Sequence, residues 1–159
     1  MKAGIISDTH DHLDNLKKIL RIFLEKNVGH IFHAGDFTSP FTLRVMKESR
    51  IDFTAIFGNN DGDRLLLSRI SEGKIHTQPH KTTLHNKNII LVHEPDIVEE
   101  LAKSQSFDLI IYGHTHSQET KNTGRTLIVN PGEACGWLTG KATACIIDLQ
   151  TMEVEAIRL

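Results

Sequence analysis

Along this 159-residue chain, short apolar runs stop one after another at small clusters of oxygen- and nitrogen-bearing side chains. Ala3-Gly4-Ile5-Ile6-Ser7 leads into Asp8-Thr9-His10, and His30-Ile31-Phe32-His33-Ala34 leads into Gly35-Asp36. Phe53-Thr54-Ala55-Ile56-Phe57 ends at Gly58-Asn59-Asn60-Asp61, and Leu109-Ile110-Ile111-Tyr112 at Gly113-His114-Thr115-His116. A further run, Ile89-Ile90-Leu91-Val92, stops at His93. Apolar runs of this length read as buried strands, so several strands carry potential metal ligands at the same end. Open α/β sheets form their functional crevices at that end, and the pattern points to a metal-centred active site.

The bulk properties narrow the alternatives. The length suits one domain with a single core. A formal charge of −2, with basic and acidic residues evenly mixed, gives no footprint for non-specific binding to nucleic acid or membrane. No run approaches the roughly 18 apolar residues that span a bilayer, and the N-terminal apolar stretch is too short for a signal peptide. Cys135 and Cys145 form no CxxC pattern, so we expect free thiols in a reducing, cytoplasmic setting. The 10 histidines are the compositional outlier, and only their placement makes them informative.

The order of elements predicts an α/β sandwich with a mixed β core and helices outside. A strand over residues 3–7 precedes a helix in which Leu13, Leu16, Leu20, Phe23 and Leu24 share one face. A strand at 30–34, a helix from Pro40 to Glu48 and a strand at 52–57 complete a β-α-β-α-β start, which implies parallel pairing. Residues 62–72 read as a weak helix, and Lys74–His85 as two short extended segments broken at Gln78-Pro79. A strand at 88–92, a helix at 96–104 and a strand at 108–112 follow. Beyond Glu119 the segments near 119–122, 125–130, 142–148 and 153–158 read as antiparallel strands.

Each cluster alone is weak. Asp8 and His10 are two apart, as are His114 and His116, and in extended backbone such pairs point to one side. HxH is common, Gly-Asp is a routine strand-ending turn, and Gly58-Asn59-Asn60 contains residues that tolerate turns. His93 before Glu94-Pro95 suits a helix entry. All of them at the ends of separate apolar runs is much harder to reconcile with chance.

Taken in order, Asp8-Thr9-His10, Gly35-Asp36, Gly58-Asn59-Asn60-Asp61, His93 and Gly113-His114-Thr115-His116 make the whole chain resemble the calcineurin-like metallophosphoesterases, and among them the small YfcE-type phosphodiesterases. Asn130-Pro131-Gly132 also resembles a segment of this subgroup. The resemblance implies one metallophosphoesterase domain over residues 1–159, a β-sandwich of mixed sheets flanked by helices in four αββα layers. It implies two divalent metal ions, drawn from Mn, Ni, Fe, Co or Zn, with Mn or Ni expected in vitro. Asp8, His10 and His116 would hold the first ion, Asn59, His93 and His114 the second, and Asp36 would bridge them. Carboxylate, amide and imidazole donors without thiolate agree with such ions. Asp8, Asp36 and Asn59 would form the catalytic set, and a hydroxide bridging the two ions would attack phosphorus.

The expected reaction is hydrolysis of a small phosphodiester in the cytoplasm, with no stable nucleic-acid complex and no membrane. A phosphomonoesterase on the same centre is the alternative. A non-catalytic scaffold, such as the retromer subunit that resembles this family, is disfavoured because every ligand position holds a competent residue. Two departures stand out. Many relatives place a histidine after the motif asparagine, where this chain has Asn60, which donates a hydrogen bond but no proton. After His93 this chain has Glu94-Pro95-Asp96 where relatives carry Gly and further histidines. Asn60 and His12 are candidate substrate-binding residues, though His12 also suits an exposed helix start. His33 reads either as a partner orienting a ligand or as core, and Asp61 as a partner of the ligand loop. The Gly132-Glu133-Ala134-Cys135-Gly136-Trp137 stretch suits a pocket wall near the metals, and Trp137 equally suits core or the interface of a homodimer.

Overall fold

The computed structural model describes residues 1–159. In chain order the elements are β1 (Lys2–Ile6), α1 (Leu13–Glu25), β2 (His30–His33), α2 (Pro40–Glu48), β3 (Asp52–Ile56) and α3 (Arg64–Ile70). They continue with β4 (Ile75–His76), β5 (His80–Leu84), β6 (Lys87–Leu91), α4 (Val98–Lys103), β7 (Leu109–Ile111), β8 (Gln118–Thr123), β9 (Thr126–Pro131), β10 (Thr143–Asp148) and β11 (Val154–Arg158). A single 3-10 turn, Pro95–Ile97, opens α4.

Two sheets result. One has six strands in the order β11-β10-β1-β2-β3-β4, and the other five in the order β5-β6-β7-β9-β8. Alternation along each strand divides the apolar residues among three cores. Ala3 and Ile5 of β1 and Phe32 of β2 meet Leu91, Leu109, Ile111 and Val129 between the sheets. On the outer face of the first sheet, Ile6 and Ile31 pack under α1, α2 and α3. On the outer face of the second, Ile90, Ile110 and Ile128 pack against Val98 and Ala102 of α4. The result is helix, sheet, sheet, helix: the four-layer arrangement expected.

Local chemistry sets the helix boundaries. Ser39 caps α2 and Pro40 follows at its first position, while Asp63 caps α3 by accepting a hydrogen bond from the Leu66 N–H at 3.0 Å. On α1, Leu16, Ile19, Leu20 and Phe23 are buried at helical spacing, whereas Leu24, expected on that face, is exposed. Burying each contributes about 1.5–3 kcal/mol, against a few tenths for the exposed Arg21–Glu25 pair, so packing holds this helix in place.

The strands after Glu119 pair antiparallel with one another as expected, β8 with β9 and β10 with β11. Their other partners were not foreseen: β9 also lies parallel to β7, and β10 leaves β9's sheet to pair antiparallel with β1. Strand direction is decided by the partner available across the sheet, which the local apolar pattern does not carry. As a consequence β9 ends on the same rim as β1, β2, β3, β6 and β7.

Candidate metal centre

That rim gathers the strand-end side chains. Asp8 Oδ1 lies 3.4 Å from His116 Nε2 and 3.8 Å from His10 Nε2. Asp36 Oδ2 lies 3.6 Å from His10 Nε2 on one side and 3.4 Å from His93 Nε2 on the other. Asn59 Oδ1 then lies 2.8 Å from His93 Nε2 and 3.0 Å from His114 Nδ1. All seven side chains named in the sequence for metal binding are therefore neighbours, with Asp36 in the middle.

The backbone reaches this arrangement by a route the sequence reading did not foresee. Asp8, His10, Asp36, His114 and His116 all have left-handed φ, between 39° and 65°. The i, i+2 pairs converge through these turns and not through extended backbone. Thr38, β-branched, has φ 76°. Such conformations cost on the order of 1–3 kcal/mol each and persist only where surrounding contacts enforce them. Those contacts are present. Asp61 accepts hydrogen bonds from the N–H groups of Asp36 (3.2 Å), Thr38 (2.9 Å) and Gly58 (2.8 Å), tying two ligand loops together. A Cβ on Gly58 would lie 2.2 Å from Asp36 Oδ1, and one on Gly113 2.9 Å from Asp8 Oδ2, so each carboxylate packs against a glycine of a neighbouring strand end.

The imidazoles are oriented from behind. His93 Nδ1 donates to the Ala34 carbonyl at 2.7 Å, and His116 Nδ1 donates to Glu133 Oε2 at 2.8 Å. His10 Nδ1 pairs with Thr38 Oγ1 at 3.2 Å. In each ring this leaves Nε2 turned into the cluster; His114 alone faces it through Nδ1. Fixing one nitrogen in this way sets the tautomer and the aim of the other.

Glu133 is the residue the sequence reading undervalued. It is fully buried, and accepts from His116, from Cys135 Sγ and from the backbone N–H groups of Leu138 and Thr139. Burial alone would raise its carboxyl, but hydrogen bonds from Thr139 and His116 outweigh burial and hold it down to about 2. A signal existed: Leu127-Ile128-Val129 is another apolar run that stops at a polar cluster, Asn130-Pro131-Gly132-Glu133. Asn130 itself is buried and donates to Gly113 O and Thr115 Oγ1, supporting the loop between His114 and His116.

His33 orients a ligand loop and is also core. It is fully buried and stacked on Phe37 with centroids 3.7 Å apart. Its Nδ1 accepts from the Gly35 N–H at 3.1 Å, so Nε2 carries the proton and donates to Thr9 Oγ1 at 3.0 Å. Asn60 turns its amide onto Asp36, donating from N to Oδ1 and from Nδ2 to Oδ2, both at 2.8 Å. His12 is the N-cap of α1, its Nδ1 accepting from the Asn15 N–H at 3.3 Å.

The donor set suits divalent cations. Asp8 Oδ1 is buried and has no hydrogen-bond partner, which is costly for a carboxylate oxygen unless a cation faces it. Burial would lower the His93 imidazole, yet Asp36 outweighs it and raises the ring to about 9. Asp36 in turn is held below the usual carboxylate range: burial opposes this, but His93 and the Asn60 amide prevail. A positive charge beside Asp36 is thus favoured. Cys135 Sγ also lies within 4.8 Å of the His10 and His116 ligand nitrogens. Burial, reinforced by Glu133, pushes its thiol up to about 12, so it stands as an S–H donor and not a thiolate.

The family model for the calcineurin-like phosphoesterase superfamily domain matches residues 1–152. The chain belongs to this superfamily. Within it, a phosphodiesterase of Methanocaldococcus jannaschii is 37% identical, the match covering 100% of this chain and 99% of that protein. The solved structure of an archaeal phosphodiesterase superposes with a TM-score of 0.91 at 36% identity, covering 100% of both chains. YfcE, a phosphoesterase from E. coli, shares the phosphoesterase fold at a TM-score of 0.73 and 18% identity, covering 99% of this chain and 98% of that one.

Proposed function

We propose that this superfamily member is a metal-dependent phosphodiesterase that hydrolyses small phosphodiesters, with two divalent ions held by its own strand-end residues. Asp8, His10 and His116 would hold one ion, Asn59, His93 and His114 the other, with Asp36 shared. The observation that carries the reading is the position of one oxygen, Asp36 Oδ2, within 3.6 Å of His10 Nε2 and 3.4 Å of His93 Nε2. A single carboxylate facing two ligand sets suits a two-ion site. Such ions, when bound, neutralise charge on phosphoryl oxygens and lower the pKa of water from about 15.7 to about 7. Donors that mix hard oxygens with imidazoles suit Mn, Ni, Fe, Co and Zn alike, and among these we favour Mn or Ni on the family resemblance.

The chain's own residues supply the rest. Asp8 and Asp36 carry the negative charge that concentrates cations at the rim. Glu133, Thr38 and the Ala34 carbonyl hold three imidazoles in a fixed aim, so no reorganisation is needed when substrate arrives. Asn60, donating to Asp36, orients the shared carboxylate and provides no proton for a leaving group. Two buried free thiols accord with a reducing cytoplasm, and no helix is long and apolar enough to cross a membrane.

The test is metal-stripped protein with Mn²⁺, Ni²⁺, Mg²⁺ or Zn²⁺ restored, assayed on matched diesters and monoesters. Two equivalents of bound ion and faster turnover of diesters are expected. Monoesters turned over faster would reassign the chain as a phosphomonoesterase, and fewer than two ions with no hydrolysis would refute the reading.

A further inference from the structure

Trp137 is the chain's only tryptophan, and it is not part of any core: 65% of it is exposed, as is 75% of Leu138 beside it. Its loop is nonetheless firmly held. The Glu133 carboxylate accepts from the Leu138 and Thr139 N–H groups, the Cys135 N–H donates to Asp8 O at 3.1 Å, and Asn15 Nδ2 donates to Cys135 O at 3.0 Å. The indole lies 5.0 Å from the His12 ring, tilted by 47°. Together the two rings wall a concave surface of about 350 Å³ completed by Asp11, Leu13 and Asp14. This surface adjoins the metal centre along both of its segments. His12 is two residues after His10, and Trp137 two after Cys135, whose sulfur lies within 4.8 Å of the His10 and His116 nitrogens.

We propose that this wall, with Trp137 as its face, binds the aromatic group of one ester arm of the substrate, an aryl ring or a nucleobase. It rests on the phosphodiesterase reading and specifies its substrate class. An indole offers a broad π face, on which every planar ring stacks. The Asp11 carboxylate, whose Oδ1 holds the Ser39 and Thr42 hydroxyls, and that of Asp14 border it; their charge repels a second phosphate, and Asp14 suits the exocyclic N–H donors of a base. The other side of the loop differs in kind. There the concave surface beside His116 carries Lys141 and Arg158 and no apolar side chain. An aromatic side chain to stack on stands on the Trp137 side only.

A lone tryptophan makes the test direct. Metal-loaded protein is titrated with adenosine 5′-monophosphate and, as the probe lacking a base, with ribose 5-phosphate, while tryptophan emission is followed. Saturable quenching by the first is expected, with half-saturation at least about tenfold tighter than any response to the second. In parallel, Trp137→Ala should raise KM for bis(4-nitrophenyl) phosphate about tenfold, with the loss in KM and not kcat, and Trp137→Phe should restore most of it. Equal quenching by both probes, an unchanged KM in Trp137→Ala, or emission that shifts with protein concentration and not with ligand would each overturn the wall. The last would mark the loop tip as a contact between copies. Base-dependent quenching in a protein that hydrolyses no ester would sustain the wall and remove the phosphodiesterase reading; hydrolysis without such quenching does the reverse.

Discussion

The two halves of the proposed metal centre share Asp36 but are built differently. The half around Asp8, His10 and His116 has a second carboxylate of its own, and its imidazoles are braced by side chains, Thr38 and Glu133. The half around Asn59, His93 and His114 has a neutral carboxamide in place of that carboxylate. His93 there is braced by a backbone carbonyl, while Asn59 and His114 are exposed to solvent. Charge and burial therefore both favour the first half. The difference teaches that a centre that looks symmetric in its ligand count can hold one ion firmly and leave the other exchangeable.

Substitution of the shared residue gives the largest effect. Asp36→Asn removes the charge common to both halves, and should lower turnover on the order of a hundredfold or more, with bound metal falling below two equivalents. Loss of one ion alone would break the view that Asp36 serves both. Glu133→Gln should act on the first half only, weakening its ion roughly 10- to 100-fold while the second keeps its affinity, as read by two-step calorimetric titration. Equal weakening of both steps would mean that the halves are not separable.

A third measurement uses the leaving group. Asn60, the residue after the ligand asparagine, is an amide that donates a hydrogen bond but no proton, so neither half offers a proton donor there. The logarithm of kcat should fall steeply as the leaving-group pKa rises across substituted phenyl diesters, and a shallow slope would reveal a general acid. The smallest effect concerns the brace behind the first half. Folded His33 stays neutral down to about pH 3, because burial holds its pKa there, whereas the unfolded residue titrates near 6.5. Between those values the unfolded chain binds the proton and the folded chain does not. Stability therefore falls as pH drops from about 6.5, by up to about 1.4 kcal/mol per unit from this residue. Urea unfolding of His33→Gln against the parent from pH 7 to 4 should show a flatter dependence. Parallel curves would remove His33 as a neutral buried brace.

Much of this was legible in the chain itself. The apolar runs ending at Asp8, Asp36, Asn59, His93 and His114 are local patterns, and burial on both faces of a strand produces them wherever the strand lies. The order of strands and helices predicted an α/β sandwich with helices outside, and the four layers were implied by the family resemblance. Glu133 was harder to place because its role depends on β9 lying parallel to β7, and partner choice across a sheet is a long-range matter. The aim of the histidines was equally hidden. Asp and His tolerate left-handed turns better than most residues, but nothing local requires them at Asp8, His10, Asp36, His114 and His116, and they hold because Asp61, Asn130 and closely packed glycines support these loops.

The sequence by itself determined which chemical groups stand at the strand ends, since hydrophobic periodicity and motif order are written in neighbouring residues. Tertiary structure alone decided which nitrogen of each imidazole turns inward, which carboxylate stands behind His116, and that Trp137 faces solvent beside the centre. Those outcomes depend on hydrogen bonds and packing between segments far apart in the chain, such as Asn15 with Cys135 and Asp8 with His114.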